Sequence, residues 1–310
     1  MMAPESSHGA RRLVGPKGRA SHIVPRLAAC AFFVSTAFRV GSLPAEPGAK
    51  GVDGQEKRQS AALKAMKARA DAATVTCEKG PDRPLKLVAE PLLHYSDREN
   101  NILNGGLWIW GDSGRPQAFL KTEAHLWNGD EPPRVTWVYC FVSTAGDRID
   151  AAWPSGRRFK TSEPGLKLEA IHDGPKPAEA KPARLAQLKE LARRFSVRVG
   201  NAGADHKMRF LPTPVHRYAD PQAGIQEGAV FAFAATGTNP GVVLLLELYQ
   251  PKGAEAKWQY SLSRLGIGEV AVQLDERVVY EQAYTGIYPV KKPTWMWFFE
   301  KGMLPEEKEE

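Results

Sequence analysis

Cysteine is scarce in this chain, and so are the short motifs that announce a chemistry. None of the three cysteines, Cys30, Cys77 and Cys140, forms a CxxC pair or clusters with histidines, so no zinc or other metal site is predicted. There is no G-x-S-x-G elbow, P-loop, G-x-G-x-x-G, H-E-x-x-H or EF-hand loop, and Gly266-Ile267-Gly268 is too little for a phosphate loop. No cofactor is expected. Long apolar runs are missing too. The run Leu27–Phe38 has twelve mostly apolar residues, whereas a spanning helix needs about twenty, so no transmembrane segment is predicted. The body also lacks a basic stripe. Overall the chain carries 42 basic and 35 acidic side chains, a net charge of +7. Residues 1–45 hold six of the basic residues and one acid, Glu5, so the remainder carries 36 against 34, a net of +2. That balance speaks against a nucleic-acid partner.

What those first residues do have is order. Basic residues end at Arg26, the apolar run follows, and turn-forming Arg39–Ala45 closes the segment. This is the layout of a secretory signal peptide over residues 1–45, cleaved near Ala45, which places the mature protein outside the cytoplasm, periplasmic or extracellular. A buried helix of the mature protein is the other reading the same residues allow. In an exported chain Cys77 and Cys140 can be bridged, and two distant cysteines can equally sit buried and reduced. Their spacing does not choose.

The strongest signal is an internal repeat. Leu85–Pro91 aligns with Met208–Pro214 at an offset of 123, which also brings Tyr95 and Asp97 onto Tyr218 and Asp220. At the same offset Ile102 meets Ile225, Gly105 meets Gly228, and Trp108 and Trp110 meet Phe231 and Phe233. After one inserted residue Pro116, Leu120 and Glu123 meet Pro240, Leu244 and Glu247; Trp137 and Tyr139 then meet Trp258 and Tyr260 at an offset of 121. Upstream, Leu63, Met66, Ala70 and Ala73 recur at helical spacing, as do Leu185, Leu188, Ala192 and Phe195. Period-two alternation predicts strands at Leu107–Trp110, Gln117–Leu126, Val135–Ser143, Ile149–Trp153 and Arg158–Thr161. The second set is Ala229–Ala234, Val242–Tyr249, Lys257–Arg264, Val270–Leu274 and Arg277–Glu281. The expected fold class is therefore α+β: a helix-plus-antiparallel-sheet unit in tandem duplication, related by pseudo-twofold symmetry. Its parts would be repeat 1 over 46–172, a linker over 173–182, repeat 2 over 183–290, and an aromatic segment with a charged tail over 291–310.

The stretches P-L-L-H-Y-S-D, G-L-W-I-W-G-D and G-R-P of the first repeat, with H-R-Y-A-D-P, A-V-F-A-F, T-N-P-G-V-V-L-L-L-E and W-Q-Y-S-L-S-R of the second, resemble a family of uncharacterised exported proteins of planctomycete-type bacteria. The resemblance covers most of residues 60–285. It implies export and this architecture, and supplies no catalytic residues.

Candidate site residues come from the residues themselves. Lys121, Glu123 and His125 alternate along one predicted strand and share a face, where a carboxylate and an imidazole two residues apart can bind a metal or transfer protons, which makes them candidate ligand-binding residues; a solvated sheet face explains them equally. His94 joins them because the repeat differs there: Arg217 stands opposite His94, and Tyr249 opposite His125. Glu247 lies in an apolar run and needs a partner, for which Lys257 and Arg264 on the next strand are the candidates. Asp97 and Asp220, each following a tyrosine by two, are expected to cap short turns. Trp295–Phe299 reads as an aromatic knot docked on the body. The expected function is an exported non-catalytic binding or structural module for an unknown small molecule, glycan or protein, with any site at the seam between repeats. The alternative is an extracytoplasmic, hydrolase-like enzyme at that seam. Histidines 94 and 125 converging in one cleft would favour the enzyme, and their separation the binding module.

Overall fold

Apolar alternation sets most of the strands seen in the computed structural model, which describes residues 50–80, 82–111, 114–126, 134–201 and 204–304. The chain divides into two compact units, Met1–Glu46 and Pro47–Glu310; every described residue belongs to the second, and the expected signal peptide lies outside the described residues. The first half runs α1 (Lys50–Asp71), β1 (Thr74–Cys77), β2 (Leu93–Asp97), β3 (Ile102–Trp110), β4 (Ala118–Leu126), β5 (Arg134–Ser143), β6 (Ile149–Ala152), β7 (Arg158–Lys160) and β8 (Glu169–Ala170). The second half runs α2 (Lys181–Arg193), β9 (Phe195–Asn201), β10 (Ala204–Lys207), β11 (Arg209–Asp220), β12 (Ile225–Ala234), β13 (Pro240–Tyr249), β14 (Lys257–Arg264), β15 (Glu269–Leu274) and β16 (Arg277–Gln282). β17 (Val290–Lys291) and β18 (Trp295–Met303) end it.

The expected α+β class, a helix-plus-sheet unit duplicated about a pseudo-twofold axis, is not what forms. With 51% strand, 12% helix and only two helices among the described residues, the protein is mostly β, built from several antiparallel sheets. The difference has a physical source. Segments that read as turn, helix end or tail are strands: β2 and the proline-bearing β11 form sheet edges, where a missing N–H is tolerated, and β9 follows α2 directly. The aromatic segment is likewise no knot. β18 pairs along all nine of its residues with β5, burying Trp295, Met296 and Phe298.

Four sheets result among the described residues, ordered β1-β6-β7, β10-β9-β15-β16, β11-β12-β13-β14-β8 and β17-β18-β5-β4-β3-β2. The two larger sheets each contain a four-stranded meander, β2 to β5 and β11 to β14. Each is extended by a strand from beyond the other: β8, which follows the first meander, adds to β14, and β18, which follows the second, adds to β5.

Alternation assigns each strand two faces, and three apolar layers follow. On the outer side of the six-stranded sheet, α1 residues Ala62, Met66 and Ala70 pack with Trp108, Leu120, Trp137 and Phe141. On the outer side of the five-stranded sheet, α2 residues Leu188 and Leu191 pack with Phe231, Leu244 and Tyr260. The inner faces meet each other: Leu107, Ile109, Phe119, Cys140 and Val142 pack against Val230, Val243, Leu245 and Leu265. Cys77 lies with the outer layer and Cys140 with the inner one, and both are free thiols.

Candidate functional site

Period two sends Leu120, Thr122 and Ala124 of β4 outward and Phe119, Lys121, Glu123 and His125 inward, toward the second sheet. Glu123 is the hub of a buried network. Its Oε1 accepts from Tyr95 Oη at 2.9 Å and lies 3.0 Å from Lys121 Nζ, and its Oε2 lies 3.2 Å from His125 Nε2. Burial by itself would raise the carboxyl's pKa. The Lys121 charge and the His125 contact overcome that and hold it down at about 2. Tyr95 moves the other way: burial and the adjacent carboxylate push its phenol well up, so it stays a donor.

The tyrosine reaches Glu123 from the edge strand because the strand between them is bare. Gly105 pairs with Tyr95 on one side and Glu123 on the other, and a Cβ there would run into the Tyr95 ring. The second meander repeats this arrangement. Gly228 pairs with Tyr218 and Glu247, a Cβ would meet the Tyr218 ring, and Tyr218 Oη donates to Glu247 Oε1 at 2.8 Å.

The two carboxylates differ in how they are neutralised. Glu247, fully buried, takes a bidentate guanidinium from Arg115 in the β3–β4 loop (Nε–Oε1 2.5 Å, Nη2–Oε2 2.7 Å) and a hydrogen bond from Gln259 Nε2 at 2.9 Å. Lys257 and Arg264, the partners expected from sequence, do not supply the charge. Burial would lower the Arg115 pKa, but the Glu247 pairing raises it. The β12–β13 loop carries Asn239 where the β3–β4 loop carries Arg115, each just before a matched proline. Asn239 donates to Asp97 Oδ2 at 3.3 Å, and its buried Oδ1 has no hydrogen-bond partner among the described residues. Beside Glu123, where a longer side chain would lie, there is a cavity of about 340 Å³. Asn100, Lys121, Glu123, His125 and Asn239 supply its polar wall, and apolar lining comes from Val138 and Trp297 of the six-stranded sheet and from Val199, Met208, Leu265 and Val270 of the second half.

Of the four residues singled out from sequence, the structure brings Lys121, Glu123 and His125 together. His94 sits apart, exposed, on the helix side of the sheet. Its Nε2 lies 3.0 Å from Asn104 Oδ1, and Asn104 Nδ2 donates to the Gln59 carbonyl of α1. Arg217 holds the matching place in the second half, paired with Glu227, which also binds Arg184 of α2 at 3.2 Å. Both positions tie a helix down. Tyr95 holds Glu123 from behind and Asn239 lines the cavity, and neither was among the candidates read from sequence. The signal for the tyrosine was its recurrence with a glycine and a glutamate at matched places; for Asn239 there was none, because its role depends on what the other loop does.

The turns behave as the aspartates predict. Asp97 Oδ1 accepts from Asn100 N at 3.3 Å and Asp220 Oδ1 from Ala223 N at 3.0 Å. Asp97 also accepts from Asn100 Nδ2 at 2.7 Å and from Thr236 and Asn239 of the other half. Burial opposes its ionisation, but those donors keep its pKa below the usual range.

Among the described residues no cluster of three or more His, Cys, Asp or Glu side chains is placed to hold a metal, and no helix is long and apolar enough to cross a membrane. No protein-family model matches the chain, no curated protein matches its sequence, and no solved structure matches its fold.

Proposed function

We propose that this is an exported, non-catalytic binding module whose site is the cavity beside Glu123, between the six-stranded sheet and the second half. It would take a small molecule with an apolar body and one hydrogen-bonding head. One observation carries the reading: of two matched Tyr–Glu pairs, one is closed by a guanidinium and the other opens on a cavity. A packing defect would be small and apolar. This cavity has a fixed ion pair and a volume at the small end of ligand sites. Export rests on the charge and apolar layout of residues 1–45.

Catalysis finds less support. Among the described residues the cavity lining contains no serine or threonine, and its one thiol, Cys140, is pushed up to about 12 by burial, far from the thiolate a nucleophile needs. His94 and His125 lie on opposite sides of the sheet.

The test uses the neutral fluorescent dye N-phenylnaphthylamine, an aromatic body with one N–H. The parent should enhance its emission saturably. Asn239→Arg, which offers Glu123 the side chain that Glu247 receives from Arg115, should abolish the enhancement while the variant keeps its melting temperature. Equal enhancement by parent and variant would overturn the assignment.

A further inference from the structure

Arg264, at the end of β14, is only 3% exposed, yet no carboxylate among the described residues lies within ion-pair distance of it. Its contacts are few. Nη1 donates to the Ala283 carbonyl at 2.8 Å, Nη2 to Thr285 Oγ1 at 3.1 Å, and the guanidinium lies over the Trp295 ring at 4.1 Å. A guanidinium has five N–H donors, so three remain without a protein acceptor among the described residues. Burial lowers its pKa, as expected of a cation taken out of water without a counter-ion. Such a charge is costly to keep.

The fold itself does not demand it. Strand register places Arg264 opposite Val242 in the second meander, and Ser143 opposite Ala118 in the first. A serine therefore suffices at the matched position. The arginine also faces open space: it lines a cavity of about 620 Å³, with Tyr280, Tyr284 and Trp295 as flat apolar walls. Lys167, Lys292, Glu163 and Glu169 stand around it. Lys167 and Glu163 pair with each other at 3.2 Å, which leaves Arg264 and Lys292 against Glu169 alone. This cavity is separate from the one beside Glu123. Val138 and Cys140 of β5 line that one and Val142 lines this one; between them Trp295 donates its Nε1–H to Cys140 Sγ at 2.9 Å.

We propose that the cavity beside Arg264 is a second binding site, for a small organic carboxylate with a flat apolar body whose acid group occupies the free edge of the guanidinium. A planar fork matches a carboxylate in two parallel hydrogen bonds, and the aromatic walls take the body. The site does not depend on the reading of the Glu123 cavity.

Benzoate, benzamide and phenyl phosphate are titrated against the full chain, following melting temperature and tryptophan emission. Benzoate should stabilise the protein and bind about tenfold or more tightly than benzamide, its neutral isostere. Arg264→Met should abolish the benzoate response while melting at or above the parent, because removing a buried unpaired charge does not destabilise. If that variant fails to fold, the arginine is structural and the proposal falls unless the parent itself separates benzoate from benzamide. Equal responses to both, or none, would overturn it. Phenyl phosphate binding more tightly than benzoate would overturn the carboxylate assignment.

Discussion

Glu123 and Glu247 occupy the same place in two meanders, each buried beneath a tyrosine laid across a glycine. Around Glu247 the charge comes from a loop of the other half, and the guanidinium fills the space as it neutralises the acid. Around Glu123 the charge comes from two residues along on the same strand. Lys121 neutralises the acid without filling the space above it, and the loop opposite ends in a short amide. Charge compensation and packing are thus separable: a scaffold that solves the first in two ways is left with a plug on one side and a pocket on the other.

The widest separation between the sites should come from removing the cations. Arg115→Ala leaves a fully buried carboxylate without its counter-charge and should cost about 3–5 kcal/mol in denaturant unfolding. Lys121→Ala should cost clearly less, because Tyr95 and His125 remain on Glu123 and the cavity can admit water. Equal losses would mean that the open site is as dry as the closed one.

Acid should produce the next largest effect. Glu123 is near 4.5 when unfolded and about 2 when folded, so its contribution to stability is complete above pH 4.5 and is lost as pH falls toward 2. The Glu123→Gln variant should show a shallower loss of stability across that window than the parent. Identical slopes would place the acid sensitivity elsewhere.

The smallest contrast concerns the turn aspartates. Asp220→Ala should cost on the order of 1 kcal/mol, as cap removal does. Asp97→Ala should cost more, since Thr236 and Asn239 of the other half also lose their acceptor. Chemical denaturation of the pair decides; the same cost at both positions would show that the cross-half contacts add nothing.

Much of this was legible in residue order. The alternation gave β4 to β7 and β13 to β16 to within about two residues at each end but only the later parts of β3 and β12, and Tyr, Gly and Glu recur at the two carboxylate sites. Lys121, Glu123 and His125 were correctly placed on one face, because the period of a strand fixes that. What escaped had no local signature. Pro212 and Pro214 argue against a strand unless it is an edge, and edge position is a tertiary fact. The partner of Glu247 lies 132 residues away on a loop, so strand neighbours Lys257 and Arg264 were the natural candidates and the wrong ones. Whether Asn239 leaves a cavity depends on the length of a side chain facing another sheet, which no pattern along the chain encodes.

The crossing strands impose a timetable on synthesis. β5 presents an unpaired edge until β18, whose Trp295 lies 155 residues beyond Cys140, has left the ribosome. Until then the nascent first half carries a row of open backbone donors and acceptors beside Trp137, Tyr139 and Phe141, the kind of edge that recruits other chains. The six-stranded sheet is therefore completed only once β18 has emerged, after the whole second half has been made.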